Sequence, residues 1–185
     1  MNLMLDPVVV WTARLVLAAV FVVAAASKLR AHDEFVGVLH NYRLLPEPLE
    51  RPVAWALPGV EGLVALGLLI EPTRPYAAVG AAALLVVFSL AMAVNLARGR
   101  RDIDCGCFAS TLRQRLSWGL IGRNGVLLVM ALTAVPAELP SRVLGWLDAL
   151  TALAASATLI LVYVAFSRLV GMAPRVRESM TGGTR

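Results

Sequence analysis

Five apolar blocks, each long enough to cross a bilayer, constrain this chain more than any other feature. They fall at about 8–26, 53–70, 76–97, 118–135 and 144–170, and roughly 20 apolar residues span the ~30 Å hydrocarbon core as a helix. Hydrophobic residues make up 59% of the 185 and charged ones 16%, whereas soluble domains carry about 25% charged residues. No alternation at period 2 runs through the blocks, which excludes a β-barrel. The fold class is all-α: a polytopic transmembrane helix bundle of about five spans, one domain over 1–173, with a polar tail at 174–185 expected to be disordered. Pro46, Pro48 and Pro52 lead into the second block, Ser117 is placed to N-cap the fourth, and Pro136 stops it. Ala77, Ala78 and the Gly80–Ala83 run suit the third block to close helix packing.

The first block also resembles a signal peptide, with Leu15–Val23 followed by Ala24-Ala25-Ala26. A signal peptide opens with a basic region, and no Lys or Arg precedes Arg14. The block is therefore expected to be retained as a span.

The formal net charge of +5 does not point to nucleic acid. The basic residues flank apolar blocks, where they orient the protein in the membrane. Lys28, Arg30, Arg43 and Arg51 attend the first loop. Arg98, Arg100, Arg101, Arg113 and Arg115 attend the third, and Arg168, Arg175, Arg177 and Arg185 follow the last span. The opposite side holds Arg74 and Arg142. The positive-inside rule then predicts an outside N-terminus, with the third loop and the C-terminus cytoplasmic. Lys28 and Arg30 are expected to snorkel to headgroups. Asn41-Tyr42-Arg43 before Leu44-Leu45-Pro46 reads as the end of an interfacial amphipathic helix.

Cys105 and Cys107 are the only cysteines, and they sit one residue apart in the charged third loop. Cysteine used as filler is usually buried, so this placement points to chemistry. The thiolate is the reactive form, favoured by the five loop arginines and opposed by Asp102 and Asp104. A disulfide between residues i and i+2 is strained. Gly106 relieves part of that strain through its wider backbone range. Strained, exposed disulfides are the labile ones, and one closing so short a loop stabilises little. A cycling redox pair is the preferred reading. The main rival is a soft-metal site formed with His32 and His40, the only histidines. An inert pair, in a protein that serves as a non-catalytic membrane scaffold of a redox complex, is the third possibility.

Polar residues within the spans face the bundle interior and mark functional hypotheses. Arg14, Glu61, Asn95, Arg123 and Asn124 qualify. At ~1.5 Å per residue Glu61 lies ~13 Å below the loop side, where Arg14 or Arg123 could reach it. The set is expected beneath the cysteines as a polar cluster that receives a proton or a polar cofactor. The alternative is that it only joins helices through hydrogen bonds.

A resemblance to a known family rests on residues spread over most of 10–130. They are Ser27-Lys28-Leu29, Asn41-Tyr42-Arg43-Leu44-Leu45-Pro46 and Leu57-Pro58-Gly59-Val60-Glu61. Asn95-Leu96-Ala97-Arg98-Gly99 and Asp102-Ile103-Asp104-Cys105-Gly106-Cys107-Phe108 follow, then Ser117-Trp118 and Arg123-Asn124. The chain resembles the MauE family, the membrane proteins of methylamine utilisation, within the wider DoxX-like group. Ala109, where the family often has glycine, departs mildly from it. The resemblance implies a four-helix core plus one span. It implies a protein of the bacterial cytoplasmic membrane that supports maturation of a disulfide-rich periplasmic enzyme beside a thioredoxin-like partner (MauD). Cys105 and Cys107 would be the catalytic pair, with Asp104, Gly106, Glu61, Asn95, Arg123 and Asn124 in support. A quinone cofactor and an oligomer are compatible with that role. The periplasmic role sits against the cytoplasmic placement of the cysteines. Either the bundle passes reducing equivalents outward or the charge count misleads, and the count is preferred here.

Overall fold

A computed structural model describes residues 6–100, 103–106, 115–136 and 145–181, the last stretch as backbone alone beyond 167. Among the described residues six α-helices follow in order: α1 (Pro7–Arg30), α2 (His32–Tyr42), α3 (Glu47–Leu69), α4 (Arg74–Ala97), α5 (Trp118–Thr133) and α6 (Trp146–Thr181). Among the described residues there is no strand beyond one isolated bridge. α1, α3, α4 and α6 have the length and apolar character to cross a membrane, and α5 is a shorter apolar helix. At ~1.5 Å per residue the 16 residues of α5 reach about 24 Å, a little short of a full core.

α1 is the central helix, in contact with α2, α3, α5 and α6. Val10, Arg14, Leu17, Phe21, Ala24 and Lys28 recur at helical spacing and are all buried. Its start is fixed by Asp6, whose carboxylate accepts the Val8 N–H at 2.9 Å, and by Pro7 in the first turn. Pro fits there because its missing N–H would have no helical partner anyway. α3 and α4 lie close because their facing residues are small. A Cβ on Gly67 would stand 2.9 Å from that of Ala77, and one on Gly80 would stand 3.2 Å from Val64 Cγ2. The outward faces carry Leu63, Leu66, Val126 and Leu161, as lipid-facing surfaces do. Exposed Tyr76 and Trp146 near the starts of α4 and α6, and Trp118 at the start of α5, fit interfacial aromatic belts.

Three expectations are corrected. α3 begins at Glu47, so Pro48 and Pro52 lie within the helix rather than ahead of it. Pro48 costs nothing in the first turn, where its missing N–H would have no helical partner, whereas Pro52 lies in the helix interior and removes one i→i−4 bond. α6 continues to Thr181, through the segment expected to be a disordered tail. A formed helix propagates at little cost, and Arg175, Arg177, Glu178 and Met180 are good helix formers. Ser117 does occupy the N-cap of α5, but its side chain makes no capping bond.

At the end away from the cysteines, Arg14 locks the α3–α4 turn. Its Nε donates to Leu68 O at 2.7 Å, its Nη2 donates to Leu69 O at 3.1 Å, and its Nη1 pairs with Glu71. Arg74 also pairs with Glu71 and donates to Ala134 O and Pro136 O at the end of α5. Both arginines are almost fully buried. Arg74 is thus a bundle fastener rather than a loop charge.

Candidate functional site

Residues 103–106 of the third loop pack against α2 and α4. Its base is closed by an antiparallel bridge between Asp104 and Arg115, and Leu116 N donates to Ile103 O at 3.0 Å. α2 lies over it. The Tyr42 hydroxyl donates to Cys105 O at 3.1 Å. Gly106 adopts φ +73, and a Cβ there would stand 2.7 Å from Val38 Cγ1. Glycine is needed at this position twice over, for backbone angle and for room.

Cys105 is therefore buried, against the expectation of an exposed pair. It packs in a cluster with Tyr42, Met92, Leu96, Leu116 and Leu120, and its Sγ lies 3.5 Å from Met92 Sδ. Local hydropathy reads the loop as polar because the neighbours that cover it come from distant segments. Cys107 lies outside the described residues.

Beside Cys105 and Gly106 a cavity of ≈ 260 Å³ opens between α2, α3 and α4. Phe35, Leu39, Leu57, Phe88 and Ala91 are among its walls, Lys28 and Tyr42 bring polar atoms to it, and Leu44 and Val87 stand at its outer edge. α2 owes its place to the helix break at Ala31 and to Arg43, whose left-handed φ of 48 ends the helix before the turn into α3.

Glu61 is paired with buried Lys28 and not with Arg14, which is engaged at the far end of the bundle. Lys28 Nζ lies 2.7 Å and 2.9 Å from the two carboxylate oxygens. This also corrects the expectation that Lys28 snorkels. α1 runs on to Arg30, so Lys28 stays in register with buried Phe21 and Ala24 and points inward. The spacing of seven and four residues carried that signal. A void of ≈ 20 Å³ adjoins the pair and is also lined by Arg123, Asn124 and Tyr163, room for about one water.

Arg123 turns toward α6, where its Nη1 donates to Ser167 Oγ at 3.1 Å and its guanidinium lies over the Tyr163 ring. Asn124 is buried, and among the described residues its Nδ2 makes no hydrogen bond. Asn95 belongs elsewhere. Its Nδ2 donates to Ala91 O and its Oδ1 accepts from Arg100, so it finishes α4. The structure thus brings Glu61, Arg123 and Asn124 around one small void and places Asn95 outside it.

Among the described residues, no three His, Cys, Asp or Glu side chains gather as a metal site. His32 stacks on Trp55 at 4.1 Å, and His40 Nδ1 lies 3.2 Å from Glu50.

Residues 6–137 match the family described as "Methylamine utilisation protein MauE". Proteins named methylamine utilization protein MauE share much of the sequence. The one from Paracoccus denitrificans is 46% identical, covering 100% of this chain and 99% of its own length. That of Paracoccus versutus is 46% identical over 92% and 91%, and that of Methylorubrum extorquens is 42% identical over 97% and 96%. No solved structure matches the chain.

Proposed function

The chain belongs to the MauE family, and from that premise we propose that it is a membrane thiol–disulfide redox protein whose working pair is Cys105 and Cys107. The observation that carries the reading is the setting of Cys105. A cysteine recruited only to fill space needs no built support. This one is held by the Tyr42 hydroxyl and a left-handed glycine fitted to α2, and it borders a cavity containing a lysine.

One thiolate attacks a partner disulfide, and the other resolves the mixed disulfide. A thioredoxin-like protein of the MauD kind is the proposed partner, and maturation of an extracytoplasmic, disulfide-bearing enzyme of methylamine utilisation is the proposed purpose. Asp104 and Gly106 shape the loop, while Glu61, Arg123 and Asn124 support it from below. Asn95 holds the loop's entry from α4.

The location proposed is the bacterial cytoplasmic membrane, with the N-terminus outside and the cysteine loop cytoplasmic. Tyr42 bonding to Cys105 supports a shared side for the first and third loops. With Lys28 neutralised by Glu61 and Arg74 by Glu71, each side of the count loses one charge, and the excess stays with the cysteine loop.

The test is trapping. Cys105→Ser and Cys107→Ser are each expressed beside a thioredoxin-like partner, and adducts are resolved on non-reducing gels. One variant is expected to accumulate a reducible mixed disulfide. Absence of any adduct in both would remove the exchange role.

A further inference from the structure

Resting on the thiol–disulfide reading, we propose that the cavity beside Cys105 binds the ring of a membrane quinone, and that this quinone is the oxidant of the Cys105/Cys107 pair. The first support is size. A cavity of about 150 Å³ lined by aliphatic and aromatic groups takes up benzene, and this one, at ≈ 260 Å³, leaves room for a substituted ring.

The second support is the wall. Phe35, Leu39 and Phe88 offer flat and aliphatic surface to a ring, and Cys105 lies on the same wall. The third is the edge of the cavity. Leu44 is 41% exposed and Val87 57% exposed, and both are apolar residues on the outside of a lipid-embedded bundle. A ligand entering past them comes from the bilayer, which selects a lipid-soluble carrier over a water-soluble one.

The fourth support is Lys28. An ammonium has three N–H donors. Two contacts go to Glu61, and a third N–H is available to a quinone carbonyl oxygen, where negative charge builds as electrons arrive. Glu61 holds the ammonium in place and balances its charge without occupying the cavity.

The reaction balances. Two S–H bonds break and one S–S bond forms between Cys105 and Cys107, while the two electrons and two protons convert the quinone to its quinol. Exchange with a partner dithiol then returns the pair to its thiols, so the net flow is from partner dithiol to quinone.

The reduced full-length protein in lipid nanodiscs is mixed with ubiquinone-1, and quinol absorbance and thiol loss are followed together. One quinol per two thiols lost is expected, saturable in ubiquinone-1. In parallel the wild type is offered oxidised thioredoxin as a disulfide. Exchange without quinol formation overturns the quinone site and leaves the thiol–disulfide reading intact. Failure of both reactions overturns that reading as well. Ala91→Phe and Leu39→Trp fill the cavity from α4 and α2 and are expected to raise the quinone KM at least tenfold. An unchanged KM in either variant overturns the location. Wild-type protein photolabelled with an azido-ubiquinone supplies a readout that no substitution can unfold. Labels on α2 and around Met92 support the site, and labels confined to α6 reject it.

Discussion

Lys28 and Glu61 form an ion pair sealed inside the bundle, with Nζ 2.7 Å from Oε1 and both side chains almost fully buried. It joins the end of α1 to the middle of α3 and borders both the cavity beside Cys105 and the small void near Asn124. One pair thereby holds the two central helices together and sets the polarity beneath the cysteine loop.

Removing one partner leaves an uncompensated buried charge, which costs about 3–5 kcal/mol. Glu61→Gln or Lys28→Met alone is expected to lower thermal stability in detergent sharply. The double variant, which removes both charges of this pair, is expected to recover much of that loss. A double variant as unstable as the sum of the singles would show that the two side chains act independently.

Gly106→Ala combines a disfavoured backbone angle with a 2.7 Å approach to Val38 Cγ1. Thiol–disulfide exchange is expected to fall at least tenfold while the bundle stays folded, because the strain is local to the loop and α2. Adding Val38→Ala removes the steric part and leaves the backbone part of roughly 1–2 kcal/mol, so recovery is partial. Stopped-flow exchange rates for the three proteins measure this.

Arg14→Ala removes the donors that serve Leu68 O, Leu69 O and Glu71 at the far end of the bundle. Stranding buried carbonyls costs about 1–3 kcal/mol per group. The melting temperature and yield are expected to drop, while the exchange rate per folded molecule stays near wild type. A specific loss of exchange with unaltered stability would instead connect this end to the cysteines.

Membrane-impermeant maleimide applied to intact cells after reduction is expected to leave Cys105 and Cys107 unmodified until lysis if the loop lies on the proposed cytoplasmic side. Even after lysis Cys105 is expected to react slowly, because it is covered by α2 and α4. Labelling from outside would reverse the orientation.

Much of this was legible in the chain. Apolar blocks of membrane length name the class, since length and hydropathy are local properties and a bilayer imposes a fixed thickness. The short helix ending at Tyr42-Arg43 and the interest of C-G-C were also readable, because turn chemistry and cysteine placement are written in a few neighbouring residues. The pairing of Lys28 with Glu61 was not. Depth counting compared Arg14 and Arg123 and passed over Lys28, because a lysine at the end of a span ordinarily reaches headgroups. Its inward direction depends on α1 continuing as a helix to Arg30, a difference of one turn.

By itself the sequence determined an all-helical membrane bundle, its family and the cysteine pair on which the redox proposal rests, each carried by composition or by contiguous motifs. Only the tertiary structure decided that Cys105 is buried under α2, that Gly106 has no room for a side chain, and that Lys28 turns inward to Glu61 beside an apolar cavity. Those facts depend on contacts between segments tens of residues apart. Helix packing creates such contacts, and no local pattern encodes them.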